Sequence, residues 1–398
     1  MKKYYLFGLM LLCASSLFVA CESDEEEQLT DIPTDKNAGT PPTVTENTVA
    51  IPNMSAPYVE EGSNGLVGNI SFTGIKGVNG NYIDLKGTDA GSQQNIWLTI
   101  DGVQKSIKIV NAGKSNAKGL ADIIFLIDNS GSMSEEADSI AKQVLDWSKI
   151  LTETVDCQFG CVGYGDNYYG VDGGMDMADV SVLDEFLSRR GYSGTDRTYG
   201  FYGDSADKLK EKALSYDNGY YNGSYNECGA LALHFADELF SFRDDANRIY
   251  INFTDEPNQP NGYKQWSVET LNSNSDLYNW NASKGTIHTV YSESDTLEYK
   301  EPNGWYYRYN LQYPYSEYEK PWAMSEYTGG ATIFADSRFK KVTLNGLEVT
   351  AAITNTYIMR FNITEDLRKG THTLVITVKD PSGNGQAVKM ASIQFSLE

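Results

Sequence analysis

Apolar and polar positions divide the chain into three stretches with different rhythms. Between residues 51 and 118, short alternating runs are separated by Gly, Asn and Asp, the pattern of half-buried strands. Ile96-Trp97-Leu98-Thr99-Ile100 is one such run. Asp101-Gly102 reads as a hairpin turn, and 106–110 is expected to pair on its other side. From about 119 the rhythm changes. Residues 123–127 are continuously apolar, as a parallel strand covered on both faces must be. Ile140, Val144, Trp147 and Leu151 then recur at helical spacing, as do Leu231, Phe235, Leu239 and Phe242. Strands are predicted at 159–164, 249–253, 286–291 and 331–334, and a helical piece at 322–327. Strands alternating with helices define an α/β layered sheet over 119–335. From 336 to 398 the chain is β again, with runs at 341–344, 357–363, 371–379 and 388–395.

The start of the chain is an address rather than part of the fold. Lys2 and Lys3 precede an apolar run at 4–12, which continues through small residues to Leu17-Phe18-Val19-Ala20-Cys21. A charged start, a short apolar stretch and a small residue before the cut read as a secretory signal over 1–20. The run is too short and interrupted to cross a hydrocarbon core of ~30 Å. Val19-Ala20-Cys21 resembles a bacterial lipoprotein signal, which implies that Cys21 is lipidated and heads the mature chain. An ordinary cleavage site and a soluble secreted protein are the alternative. The acidic run Glu22-Ser23-Asp24-Glu25-Glu26-Glu27 resembles the export tag of Bacteroidetes surface lipoproteins, which implies an outer-membrane lipoprotein exposed on the cell surface. Residues 28–50 are rich in Thr, Pro, Asp and Asn without apolar periodicity, so 21–50 is expected to be an acidic, flexible tether.

Composition narrows the partners. The net charge of −22 over 398 residues lacks the basic face that phosphate neutralisation requires, so nucleic acid is excluded, and contact with a membrane is expected through the lipid anchor alone. Five Cys are too few for a disulfide scaffold, and three distant His offer no zinc ligand set. Cys157 and Cys161, four apart on one strand, lie ~13 Å apart and cannot bridge each other. They are expected to be buried free thiols, with a bond from one of them to Cys228 left open.

The chemistry lies at the end of the first α/β strand, in Asp128-Asn129-Ser130-Gly131-Ser132. In an open α/β sheet, ligands gather outside the carboxyl ends of strands. Asp128, Ser130 and Ser132, at alternate positions, put three oxygens on one side of the turn, and oxygens alone suit a hard cation such as Mg²⁺. A capping box of Ser132 and Glu135 is the plainer reading of the same residues, but it needs neither Asp128 nor Asp255.

The Asp-x-Ser-x-Ser pattern at a strand end, followed by a helix, resembles the metal-ion-dependent adhesion site of von Willebrand factor type A domains. Ile249-Tyr250-Ile251-Asn252-Phe253-Thr254-Asp255 is similar to the later strand whose terminal Asp joins that site. Glu227 stands before a helix where the family usually carries Thr; the Glu found here instead is similar to integrin β subunits, and a solvated acid at a helix start is the rival reading. The resemblance covers 119–335. It implies a doubly wound, mostly parallel sheet flanked by helices, and a metal set of Asp128, Ser130, Ser132, Glu227 and Asp255 holding Mg²⁺, Mn²⁺ or Ca²⁺. It implies adhesion through a partner's Asp or Glu carboxylate filling an open coordination position. The β stretches 51–118 and 336–398 are expected to form one Ig-like sandwich into which this module is inserted, or else two flanking β domains.

Loops at 165–204, 256–282 and 292–320 follow strands whose ends lie on the metal side. The last is rich in aromatics, among them Trp305, Tyr306, Tyr307 and Tyr309, which suit a protein contact, stacking on a glycan, or packing of the loop on itself. A glycan-binding part of a nutrient-uptake system and a structural scaffold of an envelope complex are therefore the alternatives. No nucleophile–base pair and no phosphate-cradling Gly loop stands out, so an enzyme is not expected.

Overall fold

In the computed structural model the described residues are 32–43, 54–55, 57–62, 65–111, 120–166, 170–216, 227–271, 280, 282–293, 319–336, 355–382 and 387–395, with 339, 344, 350, 351 and 353. Cys21, the export-tag region and the aromatic run 305–309 lie outside them. In chain order come β1 (Tyr58–Gly62), β2 (Gly65–Phe72), β3 (Ile96–Ile100), β4 (Val103–Lys105) and β5 (Ile107–Asn111). The α/β part follows with β6 (Leu120–Asp128), α1 (Ala137–Leu151), β7 (Asp156–Tyr164), β8 (Val171–Ala178), α2 (Val180–Leu187), β9 (Gly200–Tyr202) and α3 (Ala206–Ala213). It continues with α4 (Gly229–Leu239), β10 (Asn247–Thr254), β11 (Thr286–Glu293), α5 (Ala323–Thr328) and β12 (Thr332–Asp336). The chain ends in β13 (Tyr357–Asn362), β14 (His372–Lys379) and β15 (Ala387–Phe395).

The protein is a mixed α/β chain with one large, mostly parallel sheet and two antiparallel ones. The seven-stranded sheet runs β12-β11-β10-β6-β7-β8-β9, and only the β7–β8 pair is antiparallel. The continuous apolar run at 123–127 now has its reason. Ile123, Phe125 and Ile127 enter a core with Ile140, Val144 and Trp147 of α1 and Phe186 of α2. Ile124 and Leu126 enter the opposite core with Leu231 and Phe235 of α4. Each face of β6 is thus covered by helices, and alternation has no polar side to show. From β6 the chain builds outward through β7, β8 and β9, then returns to the other side of β6 to lay down β10, β11 and β12. The order reverses between β6 and β10, and the crevice at their carboxyl ends is where an open sheet of this kind binds ligands.

The two β stretches meet in two four-stranded sheets, β1-β2-β13-β5 and β15-β14-β3-β4. Each sheet contains strands from before and after the α/β part: β13 pairs with β2 and β5, and β14 pairs with β3. Between them lies one core that includes Ile70, Phe72, Leu98, Met359, Phe361, Leu374 and Ile376. Asn247, at the start of β10, donates through its side-chain amide to Ser71 Oγ of β2 at 3.0 Å.

Several local expectations need correction. Asp101-Gly102 does turn a hairpin, with both residues at positive φ (51° and 78°), but of the residues that follow the turn only β4 pairs back with β3. Residues 107–111 cross to the other sheet and pair with β13. The crossing at Ser106 is pinned from outside: its N–H donates to Asp35 Oδ1 at 3.0 Å, and Lys105 Nζ lies 3.1 Å from Asp35 Oδ2. Part of the stretch expected to be a free tether is therefore docked, with Ala38 buried and its carbonyl accepting from Gln94. The stretch 165–204 is not a plain loop, because it holds β8, α2 and β9. The strand expected at 341–344 falls outside the described residues except Leu344, which is buried. Cys157, Cys161 and Cys228 are buried free thiols.

Candidate metal centre

The register of the central strands brings the predicted residues together. β10 pairs with β6 so that Phe253 faces Ile127. One step further along lie Thr254 and Asp128, and Thr254 Oγ1 donates to Asp128 Oδ2 at 2.8 Å. The other carboxylate oxygen of Asp128 accepts the Ser130 N–H at 2.8 Å, which closes the turn after the strand. That turn aims both serines at β10. Ser130 Oγ and Ser132 Oγ are 2.9 Å apart, and Ser132 Oγ donates to Asp255 Oδ1 at 3.0 Å. Asp128, Ser130, Ser132 and Asp255 are thus linked in one chain of hydrogen bonds, through the Ser130 N–H at the Asp128 end and through hydroxyls from there on. The capping-box reading does not hold, since Ser130 makes no side-chain cap bond and the Ser132 hydroxyl is directed to Asp255.

Glu227 approaches from two residues before α4, next to the N-cap Cys228. Gly165 lies between it and Asp128: a Cβ on Gly165 would stand 3.1 Å from both Asp128 Oδ1 and Glu227 Cγ. With φ of +98°, Gly165 also holds a conformation that L side chains rarely adopt. Glu227 is half-buried, and its Oε2 accepts the Gln259 side-chain amide at 2.7 Å. It is therefore not a solvated acid. Thr254, Glu256 and Gln259 complete the surroundings and were not singled out from sequence. A hydroxyl beside the expected terminal Asp was a usable signal for Thr254; nothing in the spacing of Gln259 marked it.

The electrostatics are one-sided. Burial, then the charge of Asp255, raises the Asp128 carboxyl to about 7. Burial and the charges of Asp128, Glu256 and Asp255 push Glu227 to about 10. Burial raises Asp255, and burial with the Asp255 charge raises Glu256 to about 7. Among the described residues, no Lys or Arg figures among the groups acting on these four carboxyls. Asp128 is fully buried and Asp255 is 2 % exposed, so water cannot offset the charge either.

This donor set fits a divalent cation of the hard class. It offers carboxylate and hydroxyl oxygens, no thiolate and no imidazole, and Mg²⁺ binds such oxygens while keeping some of its water. Among the described residues, no three His, Cys, Asp or Glu side chains by themselves form a cluster able to hold an ion, so a cation here would have to draw on the hydroxyls as well. Glu136, at the start of α1, is a further buried acid: one oxygen accepts Ser292 Oγ at 3.2 Å and the other has no hydrogen-bond partner. The histidines play no part here. His234 is buried against Trp266 and Trp280 with Nε2 2.9 Å from Thr270 Oγ1, and burial pushes it down to about 3. His288 Nδ1 accepts the Ala331 N–H.

No family model matches this chain, and no curated protein matches it. Solved structures do. Proximal thread matrix protein 1 from the mussel byssus is similar at 15 % identity and a TM-score of 0.28, over 63 % of this chain and 49 % of that one. The pilus adhesin SpaC from Lactobacillus rhamnosus GG is similar at 11 % identity and a TM-score of 0.34, over 84 % and 55 %. The pilus adhesin RrgA from Streptococcus pneumoniae is similar at 14 % identity and a TM-score of 0.22, over 66 % and 36 %. All three likenesses are distant, and the chain spans about half or less of the length of each structure.

Proposed function

We propose that this chain is a cell-surface adhesion protein that binds one divalent cation and uses it to grip a carboxylate of a protein ligand. In this reading, residues 119–335 are a von Willebrand factor type A module inserted into an Ig-like sandwich, and Cys21 carries the lipid that holds the protein to the outer membrane. The observation that carries the reading is the meeting of Asp128, Ser130, Ser132 and Asp255 at the switch point of the sheet, with Asp128, Ser130 and Asp255 buried, Ser132 exposed at the mouth, and no Lys or Arg among the described residues acting on the two carboxyls.

Each residue has a task in that mechanism. Asp128 and Asp255 supply the charge that draws the ion. Ser130 and Ser132 supply neutral oxygens, which add donors for the ion without adding further negative charge. Thr254 orients Asp128 through its hydroxyl. When bound, the cation supplies the electrostatic attraction for the ligand's carboxylate. In this reading the protein is a binder rather than an enzyme, because the groups gathered at the site are suited to holding an ion.

Calorimetric titration of the purified chain with Mg²⁺ and Mn²⁺ tests the reading. Saturable uptake of one ion is expected, abolished in Asp128→Ala with the far-UV circular dichroism unchanged. Absence of uptake by the wild-type chain would overturn it.

A further inference from the structure

Four residues after β10, 257–260, form a strap across the start of α4. Pro257 and Pro260 bracket it, and their rings fix φ near −65° at both ends. Between them, Asn258 and Gln259 divide the work. The Gln259 N–H donates to the Glu227 carbonyl at 2.9 Å, and its side-chain amide donates to Glu227 Oε2 at 2.7 Å. Asn258 Oδ1 accepts the Ala230 N–H at 2.9 Å, three residues after Glu227, so the strap holds the chain on Glu227 itself and just beyond it.

The strap is in turn held from outside by Glu319. Asn258 and Glu319 exchange backbone hydrogen bonds at 3.0 and 2.9 Å. Glu319 Oε2 accepts Asn258 Nδ2 at 2.6 Å and the Val268 N–H at 2.9 Å, and Oε1 accepts Ser267 Oγ at 2.5 Å. Among the described residues, the donors to this carboxylate are neutral, and Asn258 is 4 % exposed, so the arrangement is fixed by packing as well as by hydrogen bonds.

The chemistry of the clamp matters. Glu227 is pressed by the charges of Asp128, Asp255 and Glu256, and an untethered glutamate would swing away from them into water. A Lys or Arg would hold it in place but cancel its charge. A glutamine amide holds one oxygen by a neutral bond and leaves the negative charge available. We infer that Gln259 is the positioning residue that keeps Glu227 facing the cation site, with Asn258 and Glu319 fixing the strap that carries it. The inference rests on the metal-binding reading above and deepens it.

The test is a double-mutant cycle on Mn²⁺ affinity, measured by calorimetry on the full chain for wild type, Gln259→Met, Glu227→Gln and the double variant. Gln259→Met keeps the length of the side chain and removes its donor. The expected result is a Kd about tenfold weaker in Gln259→Met, with an unchanged melting temperature in EDTA, and no further weakening when it is added to Glu227→Gln. Equal loss in both backgrounds overturns the inference, because Gln259 would then act independently of Glu227. A Gln259→Met affinity equal to wild type, or a Glu227→Gln affinity equal to wild type, overturns it while leaving the metal site standing. No uptake by wild type overturns both. If Gln259→Met lowers the melting temperature in EDTA, the isosteric Glu319→Gln takes its place in the same cycle, with a Kd change in the same direction expected and additivity contradicting it.

Discussion

Asp128 has no exposure to solvent, and the charge that acts on it is that of another carboxylate, Asp255. The consequence for stability has a definite sign. Its carboxyl rises from an ordinary 3.8 to about 7 in the folded chain, so between those values the folded form holds a proton that the unfolded form has lost. The stability it contributes is present below the ordinary value and is lost as pH rises through about 7. Thermal melts in EDTA are therefore expected to show Asp128→Asn gaining on wild type between pH 5 and pH 8, and saturating Mn²⁺ to reverse the order at pH 8. A gap between the two chains that does not change with pH would contradict this. At this scale the sequence was informative where chemistry follows a local pattern. Asp128, Ser130 and Ser132 stand at alternate positions after an apolar run, and Asp255 ends another such run. Asn258, Gln259 and Glu319 follow no period, and their roles depend on which loops lie side by side, which no local pattern encodes.

Between elements, the buried charge at the two ends of the sheet is treated differently. At the opposite end of the sheet, Arg243 binds the buried Asp122 through Nε at 2.8 Å, reaches Asp156 Oδ1 at 2.9 Å and donates to the Ala121 carbonyl at 3.0 Å. It staples the starts of β6 and β7 to the connection before β10. Arg243→Ala leaves Asp122 buried without its cation and is expected to cost about 3 kcal/mol or more in urea unfolding. A cost near zero would show that the staple is not needed. Element prediction succeeded where burial on both faces writes a continuous run, as in β6, and where a stripe recurs every third or fourth residue, as in α1. It failed at β8. Its sequence, Val171-Asp172-Gly173-Gly174-Met175-Asp176-Met177-Ala178, has two Gly and two Asp and no alternation, and it forms a strand because β7 lies beside it. Residues 107–111 alternate like a hairpin partner of β3, yet they pair with β13, since alternation reports a half-buried strand without naming its neighbour.

Across the whole molecule, two β stretches on either side of a long α/β part close around one core. Their strand character was legible in the sequence; their joining needed the register of β2 with β13 and β3 with β14. The sandwich core is separate from the two cores that flank β6, so damage to it should stay local. Leu374→Ala, at a fully buried position of β14, is expected to cost about 2–5 kcal/mol while Mn²⁺ affinity stays at the wild-type value. Loss of both together would show that the two parts act as one cooperative unit. Asp35 adds a feature of the same scale: by docking on Lys105 and Ser106 it ties the N-terminal approach to the sandwich.

The central claim is that a divalent cation sits where the carboxyl ends of β6 and β10 meet. Crystals soaked in MnCl₂ and measured at a wavelength with manganese anomalous signal test it directly. An anomalous peak within coordination distance of Asp128, Ser130, Ser132 and Asp255 is the expected result. A well-ordered chain with no peak among those side chains, or with manganese held only elsewhere, would contradict it.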